Sequence, residues 1–285
     1  MERVLNEPYR TRQCPVTLLR AKVVLKNDEK MKVMIFLGTA GSGKSSMVYG
    51  AKNWLVEHGA NVLTANLDPG AEKLPYVPDL DIRDYIRLDE VMDRYSLGPN
   101  GAMIVATDLI AEDFTEILGE IEAYTPDYLM VDTPGQLELF VFRASGVFIV
   151  EALSGEETIA SFLIDPFLTH TPSSFTSILL LSATTQLKLG VPVIRVLSKR
   201  DILTEEQIER IDNWISDPDI LYDALLDEKG PIKSLATGLC NLLTDTEESF
   251  NLIKVSAKEG YGFEDLYTQI QMTYEAGDDT IIPQP

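Results

Sequence analysis

Gly38-Thr39-Ala40-Gly41-Ser42-Gly43-Lys44-Ser45 is the stretch that decides the fold. It has the form G-x-x-x-x-G-K-S, and its flanks supply the context that makes the pattern meaningful. Val33-Met34-Ile35-Phe36-Leu37 before it suits a short buried strand, and Ser45-Ser46-Met47-Val48-Tyr49-Gly50-Ala51-Lys52 after it opens a helix. Glycines let the backbone curl so that successive N–H groups face one anion, and the following helix adds its positive end. Lys44 is then placed to bridge β- and γ-phosphates, and the Ser45 hydroxyl suits Mg2+. The structural alternative is a glycine turn capping a helix, with Lys44 in solvent.

Composition narrows the partners. The 285 residues are 45% hydrophobic and carry a formal charge of −21, which argues against nonspecific nucleic-acid binding and against a surface made for anionic lipid. Seven basic residues against four acidic ones give residues 1–30 a charge of +3, so the rest of the chain carries −24. From this shift, and from Met31 standing directly before the first core strand, 1–30 are expected to be a dispensable extension, a basic arm for nucleic acid being the alternative. Cys14 and Cys240 have neither the number nor the spacing for a disulfide framework or a zinc site, so free thiols in a reducing compartment are expected. The most apolar tract, 177–183, is too short to cross a bilayer, and a cytoplasmic protein is expected.

Further along, Asn61-Val62-Leu63-Thr64-Ala65-Asn66-Leu67 reads as a strand running into Asp68-Pro69-Gly70. Asp68 is placed either to orient or deprotonate an attacking water near Mg2+ or simply to form a turn before proline. Gly98-Pro99-Asn100-Gly101 reads locally as a turn that ends a helix over 88–95, with a further helix over 103–124. Pro126-Asp127-Tyr128-Leu129-Met130-Val131 reads as a third apolar strand that leads into Asp132-Thr133-Pro134-Gly135-Gln136, a D-x-x-G element. There Asp132 suits Mg2+, the Gly135 N–H suits a γ-phosphate, and Gln136 suits the hydrolytic water.

The apolar run 146–152 is read as another core strand, and Asp165-Pro166 as the start of a long helix reaching 189 with an interruption at Pro172. His58 and His170 are read as structural. Val191-Pro192-Val193-Ile194-Arg195-Val196-Leu197, read as a core strand with an early proline, precedes Ser198-Lys199-Arg200-Asp201, which is similar to the N-K-x-D element of guanine sites with Ser198 in place of Asn. Asp201 can accept two hydrogen bonds from the guanine edge, which adenine cannot offer, and the Lys199 stem can lie along the base. A charged loop after a strand is the alternative. Thr204-Glu205-Glu206-Gln207 is a capping box opening a helix over 204–216, and Ser256-Ala257-Lys258 follows the last strand.

Gly38 to Ser45, Asp68, Asp132 to Gln136, Ser198 to Asp201 and Ser256 to Lys258 stand in GTPase order, with Gly98-Pro99-Asn100 between the second and third. With Asp68-Pro69-Gly70-Ala71-Glu72 and Asp81-Ile82-Arg83-Asp84, this arrangement resembles the GPN-loop GTPases over about residues 31–275. The resemblance implies an α/β, three-layer P-loop NTPase fold with a mainly parallel sheet and an α-helical insertion over about 204–250. The domain is expected over 31–277, followed by a mobile acidic tail at 278–285.

It also implies a homodimer that hydrolyses GTP to GDP with Mg2+, as a switch or assembly factor for unidentified protein clients. Asp68, Gln136, Asn100 and Lys44 are its candidate catalytic residues, Asn100 arriving from the partner subunit. Nucleotide would be held by Gly38, Ala40, Gly41, Ser42, Gly43, Lys44, Ser45, Ser46, Gly98, Pro99, Asn100, Gly135, Ser198, Lys199, Asp201, Ser256 and Ala257. Ser45, Asp68 and Asp132 would serve the metal. No direct nucleic-acid or membrane contact is expected. An ATP-using P-loop NTPase or kinase, and a nucleotide-stabilised scaffold with slow timer hydrolysis, are the alternative functions.

Overall fold

The protein is described by a computed structural model covering residues 31–153, 157–229, 233–244 and 251–278. Residues 1–30, the end of the expected tail and parts of the expected insertion lie outside these. The first strand, β1 (Lys32–Gly38), alternates sides: Val33, Ile35 and Leu37 enter one apolar layer, Met34 and Phe36 the other. A strand buried on both faces requires helices above and below it. The helix α1 (Lys44–Glu57) covers the second face through Met47, Val48, Ala51 and Leu55.

Seven strands form one sheet in the order β3-β2-β4-β1-β5-β6-β7, every ladder parallel. These are β2 (Val62–Asn66), β3 (Leu80–Asp81), β4 (Tyr128–Asp132), β5 (Thr158–Ile164), β6 (Val193–Leu197) and β7 (Ile253–Lys254), with β1 between β4 and β5. The chain moves outward from β1 on one side to β2 and β3, and later outward on the other to β6 and β7. Loops at the carboxyl ends therefore diverge around β1 and leave a crevice there.

One face carries α3 (Pro99–Tyr124), α5 (Ala144–Leu153) and α6 (Pro172–Leu189), and the other carries α1 and α10 (Phe263–Asp278). The remaining helices are α2 (Leu88–Tyr95), α4 (Leu137–Val141), α7 (Glu205–Ser216), α8 (Pro218–Asp227) and α9 (Lys233–Thr244). The three-layer α/β fold expected from sequence is the fold observed. Apolar residues from Val33 to Leu252 share one cluster, which supports our proposal that 31–277 is one unit with α7–α9 as its helical addition.

Three expectations are corrected. Residues 146–152 are not a strand but lie in α5, where Gly146 sits so close to α4 that a Cβ would lie 1.8 Å from the Phe140 carbonyl oxygen. The strand is β5, between β1 and β6, and a short apolar run fits a buried helix or a buried strand equally well by pattern. The helix after Asp165 is split: 166–169 form one 3-10 turn, and Pro172 opens α6 rather than interrupting it, with Thr171 as its N-cap. Finally, Pro99 and Asn100 do not lie in a turn outside the helix. Gly98 is the N-cap of α3, Pro99 takes its first position, and the helix begins four residues earlier than 103.

The other local readings hold. Thr204 caps α7 through Gln207 in a reciprocal capping box. His58 ends α1 with Nδ1 2.7 Å from the Trp54 carbonyl oxygen and its ring stacked on Trp54, and His170 packs edge-on against Phe167. Cys240 is a buried free thiol. Among the described residues, no helix is long and apolar enough to cross a membrane.

Candidate functional site

The crevice is built from four strand ends. After β1 the backbone takes φ of +79° at Gly41 and +91° at Gly43, values that side-chain-bearing residues rarely adopt. Gly43 is the N-cap of α1, so the loop delivers its amides to the start of that helix. The Ser42 hydroxyl is buried there without a hydrogen-bond partner, while Ala40 and Ser46 are exposed. Lys44 is buried and donates to the carbonyl oxygens of Gly38 at 3.0 Å, Thr39 at 3.2 Å and Gly135 at 3.3 Å. Burial pulls its ammonium below the usual lysine range, an effect opposed by the charges of Asp132 and Asp68.

Asp68, after β2, accepts from the Gly70 N–H at 2.9 Å through Oδ1 and from the Gly135 N–H at 3.1 Å through Oδ2. Burial raises its carboxyl above the ordinary value, and those two N–H bonds and Lys44 oppose the rise. Gly135 therefore joins three strand ends: its N–H is held by Asp68 and its C=O by Lys44. Asp132, at the end of β4, is buried, and burial pushes its carboxyl up to about 6 against hydrogen bonds from Ser45 and Tyr76. Gln136 is exposed as the N-cap of α4.

Ser45 and Asp132 offer a hydroxyl and a carboxylate side by side, hard oxygen donors of the kind Mg2+ takes. Among the described residues no group of three or more His, Cys, Asp or Glu could hold a metal alone, so phosphate and water oxygens would complete its shell. The residues fit that use.

On the other side of β1, Ser198 donates to the Ser42 carbonyl at 2.8 Å and the Ile164 carbonyl at 3.1 Å, tying the glycine-rich loop to the ends of β5 and β6. Lys199, at φ +53°, donates to Gly41 O at 2.5 Å and to Asp165 Oδ2 at 2.7 Å. Its stem thus lies along the loop, with Cε 3.6 Å from where a Gly43 Cβ would stand. Asp201 accepts from the Ser256 hydroxyl at 2.7 Å, and Ser256 also receives the Glu259 N–H. Ala257 packs towards Gly50 of α1.

Sequence reasoning missed the residues that hold these groups. Asn66 is fully buried, accepts from the Asp68 N–H at 3.1 Å and donates to Asp81 at 2.9 Å. Arg83 grips Asp81 with Nε and Nη2 and reaches the Ala71 carbonyl at 2.7 Å. Asp165 was read only as a helix cap, yet it also anchors Lys199. The Gly98-Pro99-Asn100 segment is exposed, and Met103 one turn later meets Gly70, where a Cβ would lie 2.8 Å from its sulfur. The start of α3 is thus at the rim of the Asp68 loop.

A family model described as "Conserved hypothetical ATP binding protein" matches residues 36–276. The GPN-loop GTPase PAB0955 of Pyrococcus abyssi is 34% identical over 238 residues, which are 83% of this chain and 94% of the relative. The chain belongs to the GPN-loop GTPase family. GPN-loop GTPase 1 of Dictyostelium discoideum is 32% identical over 83% of this chain, which spans only 60% of that relative. The crystal structure of PAB0955, described as a GTPase in apo form, superposes with a TM-score of 0.78 at 33% identity, over 86% of this chain and 99% of that one. Family membership thus agrees with the resemblance carried by the motifs, while the family model's wording raises the question of the base.

Proposed function

We propose that this chain is a Mg2+-dependent GTPase that hydrolyses GTP to GDP and phosphate as a homodimer. The observation that supports this most is the junction at Gly135, where Asp68 and Lys44 meet the glycine of D-x-x-G. A γ-phosphate reaching the Gly135 N–H would have the Asp68 carboxylate beside it and the Lys44 ammonium against it. Asp68 then orients the attacking water and accepts its proton, and Gln136 helps to place that water. Lys44 and the loop amides stabilise charge on the phosphate oxygens. Ser45 and Asp132, with Asp68 alongside, would hold Mg2+, which would supply positive charge to offset that of the phosphates.

On the base side, Asp201 and Ser256 recognise guanine, Lys199 and Ala257 flank it, and Ser198 fixes the loop that presents them. The names of the relatives support GTP as substrate, and family membership supports the homodimer. A two-fold dimer would place the same contact in both sites. Asn100, exposed at the positive end of α3, supplies an uncharged donor to the partner's phosphate end. Client proteins and a switch or timer role are compatible with this chemistry.

Single-turnover hydrolysis with Asn100→Ala tests the cross-subunit role. The expected result is a rate per bound GTP reduced about 100-fold, the loss typical for one positioned donor, with GTP affinity within about threefold of the parent. Collapse of binding with unchanged turnover per bound nucleotide would make the loop structural.

A further inference from the structure

Tyr76 lies in the segment between β2 and β3 whose first residues carry Asp68. Its ring is buried in the apolar layer that contains Phe36 and Met130, and its hydroxyl donates at 3.0 Å to Oδ2 of Asp132. Two constraints meet in one side chain: packing fixes the ring, and the ring fixes where the donor stands. An ionised carboxylate has no proton to give, so the phenol hydroxyl is the donor in this contact. The segment is pinned again at Asp79, which accepts from the Thr64 N–H at 2.9 Å and from Lys52 at 2.8 Å. Tyr76 is where this pinned segment touches the carboxylate assigned above to magnesium.

We propose that Tyr76 is a positioning residue for magnesium: its hydroxyl fixes the rotation of the Asp132 carboxylate and ties occupation of the metal site to the seat of the Asp68 segment. The inference rests on the assignment of Asp132 to Mg2+ and goes beyond it by naming the residue that orients that ligand. A carboxylate held at one oxygen presents the other in a fixed direction. Outer partners of this kind typically contribute about 10–100-fold in metal affinity.

The test is the Mg2+ dependence of dissociation of a fluorescent GDP analogue from the full chain, measured against the rate in EDTA. With Tyr76→Phe, which keeps the ring, the Mg2+ concentration that half-maximally slows release should rise about tenfold or more. The EDTA rate should stay within about twofold of the parent, which a general packing defect would not allow. An unchanged midpoint in Tyr76→Phe, or a shift matched by an equal change in the EDTA rate, would overturn the proposal. No Mg2+ dependence in the parent would instead overturn the magnesium assignment beneath it.

Discussion

Asp68→Asn is expected to lower the rate of GTP hydrolysis by about 10²–10⁴-fold, the range for a positioned general base, while GTP still binds. The substitution is isosteric, so Oδ1 can still accept from Gly70, and the turn at 68–70 is retained. What is lost is the negative oxygen that now accepts from Gly135, together with any capacity to take a proton from water. Pre-steady-state hydrolysis and equilibrium binding, measured on the same preparation, separate the two effects. A variant that binds tightly and turns over within about threefold of the parent would remove Asp68 from the chemistry.

Lys44→Ala is expected to act on binding first. The side chain is buried, donates to three carbonyl oxygens and is the cation nearest to Asp68 and Asp132 in electrostatic effect. In the complex its ammonium would bridge the phosphates, and a charge-assisted bond of that kind contributes about 1.5–3 kcal/mol. GTP affinity should therefore fall about 100-fold, equivalent to about 2.8 kcal/mol. The same change leaves Asp68 and Asp132 without their shared cation, so their carboxyls should rise further and be protonated at higher pH. Titration calorimetry checks the affinity, and an unaltered value would place Lys44 outside the phosphate site.

Where a function depends on residues close in sequence, the chain was readable. The loop from Gly38 to Ser45, the D-x-x-G element and Ser198 to Asp201 each follow a strand, and parallel pairing brings their ends to one edge of the sheet. The positioning groups were hidden because they are joined only by the sheet. Asn66 meets Asp81 because β2 and β3 pair them directly in register, and Tyr76 reaches Asp132 from a segment with no regular structure. The Asp81-Ile82-Arg83-Asp84 signature was the available signal for the first network; its meaning required the contact with Asn66.

The error at α5 and β5 has a different cause. Both 146–152 and 158–164 are nearly continuous apolar runs, and both are covered on several sides, so neither shows the periodicity that separates strand from helix. The β-branched residues are no guide either, since both runs contain isoleucine. Only the need for a strand between β1 and β6, directly before Asp165, distinguishes them. The start of α3 was misread because Gly-Pro-Asn-Gly satisfies turn rules and helix-start rules together: glycine at the cap and proline at the first position are both.

The central claim is that this phosphate site serves a guanine nucleotide, and displacement of a fluorescent GTP analogue by unlabelled GTP or ATP tests it most directly. GTP should displace the probe at a concentration at least about 100-fold lower than ATP, because a site built around the Asp201 carboxylate strongly rejects a base without paired donors. Asp201→Asn should remove most of that preference. Equal displacement by ATP and GTP, unchanged in Asp201→Asn, would contradict the guanine assignment and favour an ATP-using enzyme on the same fold.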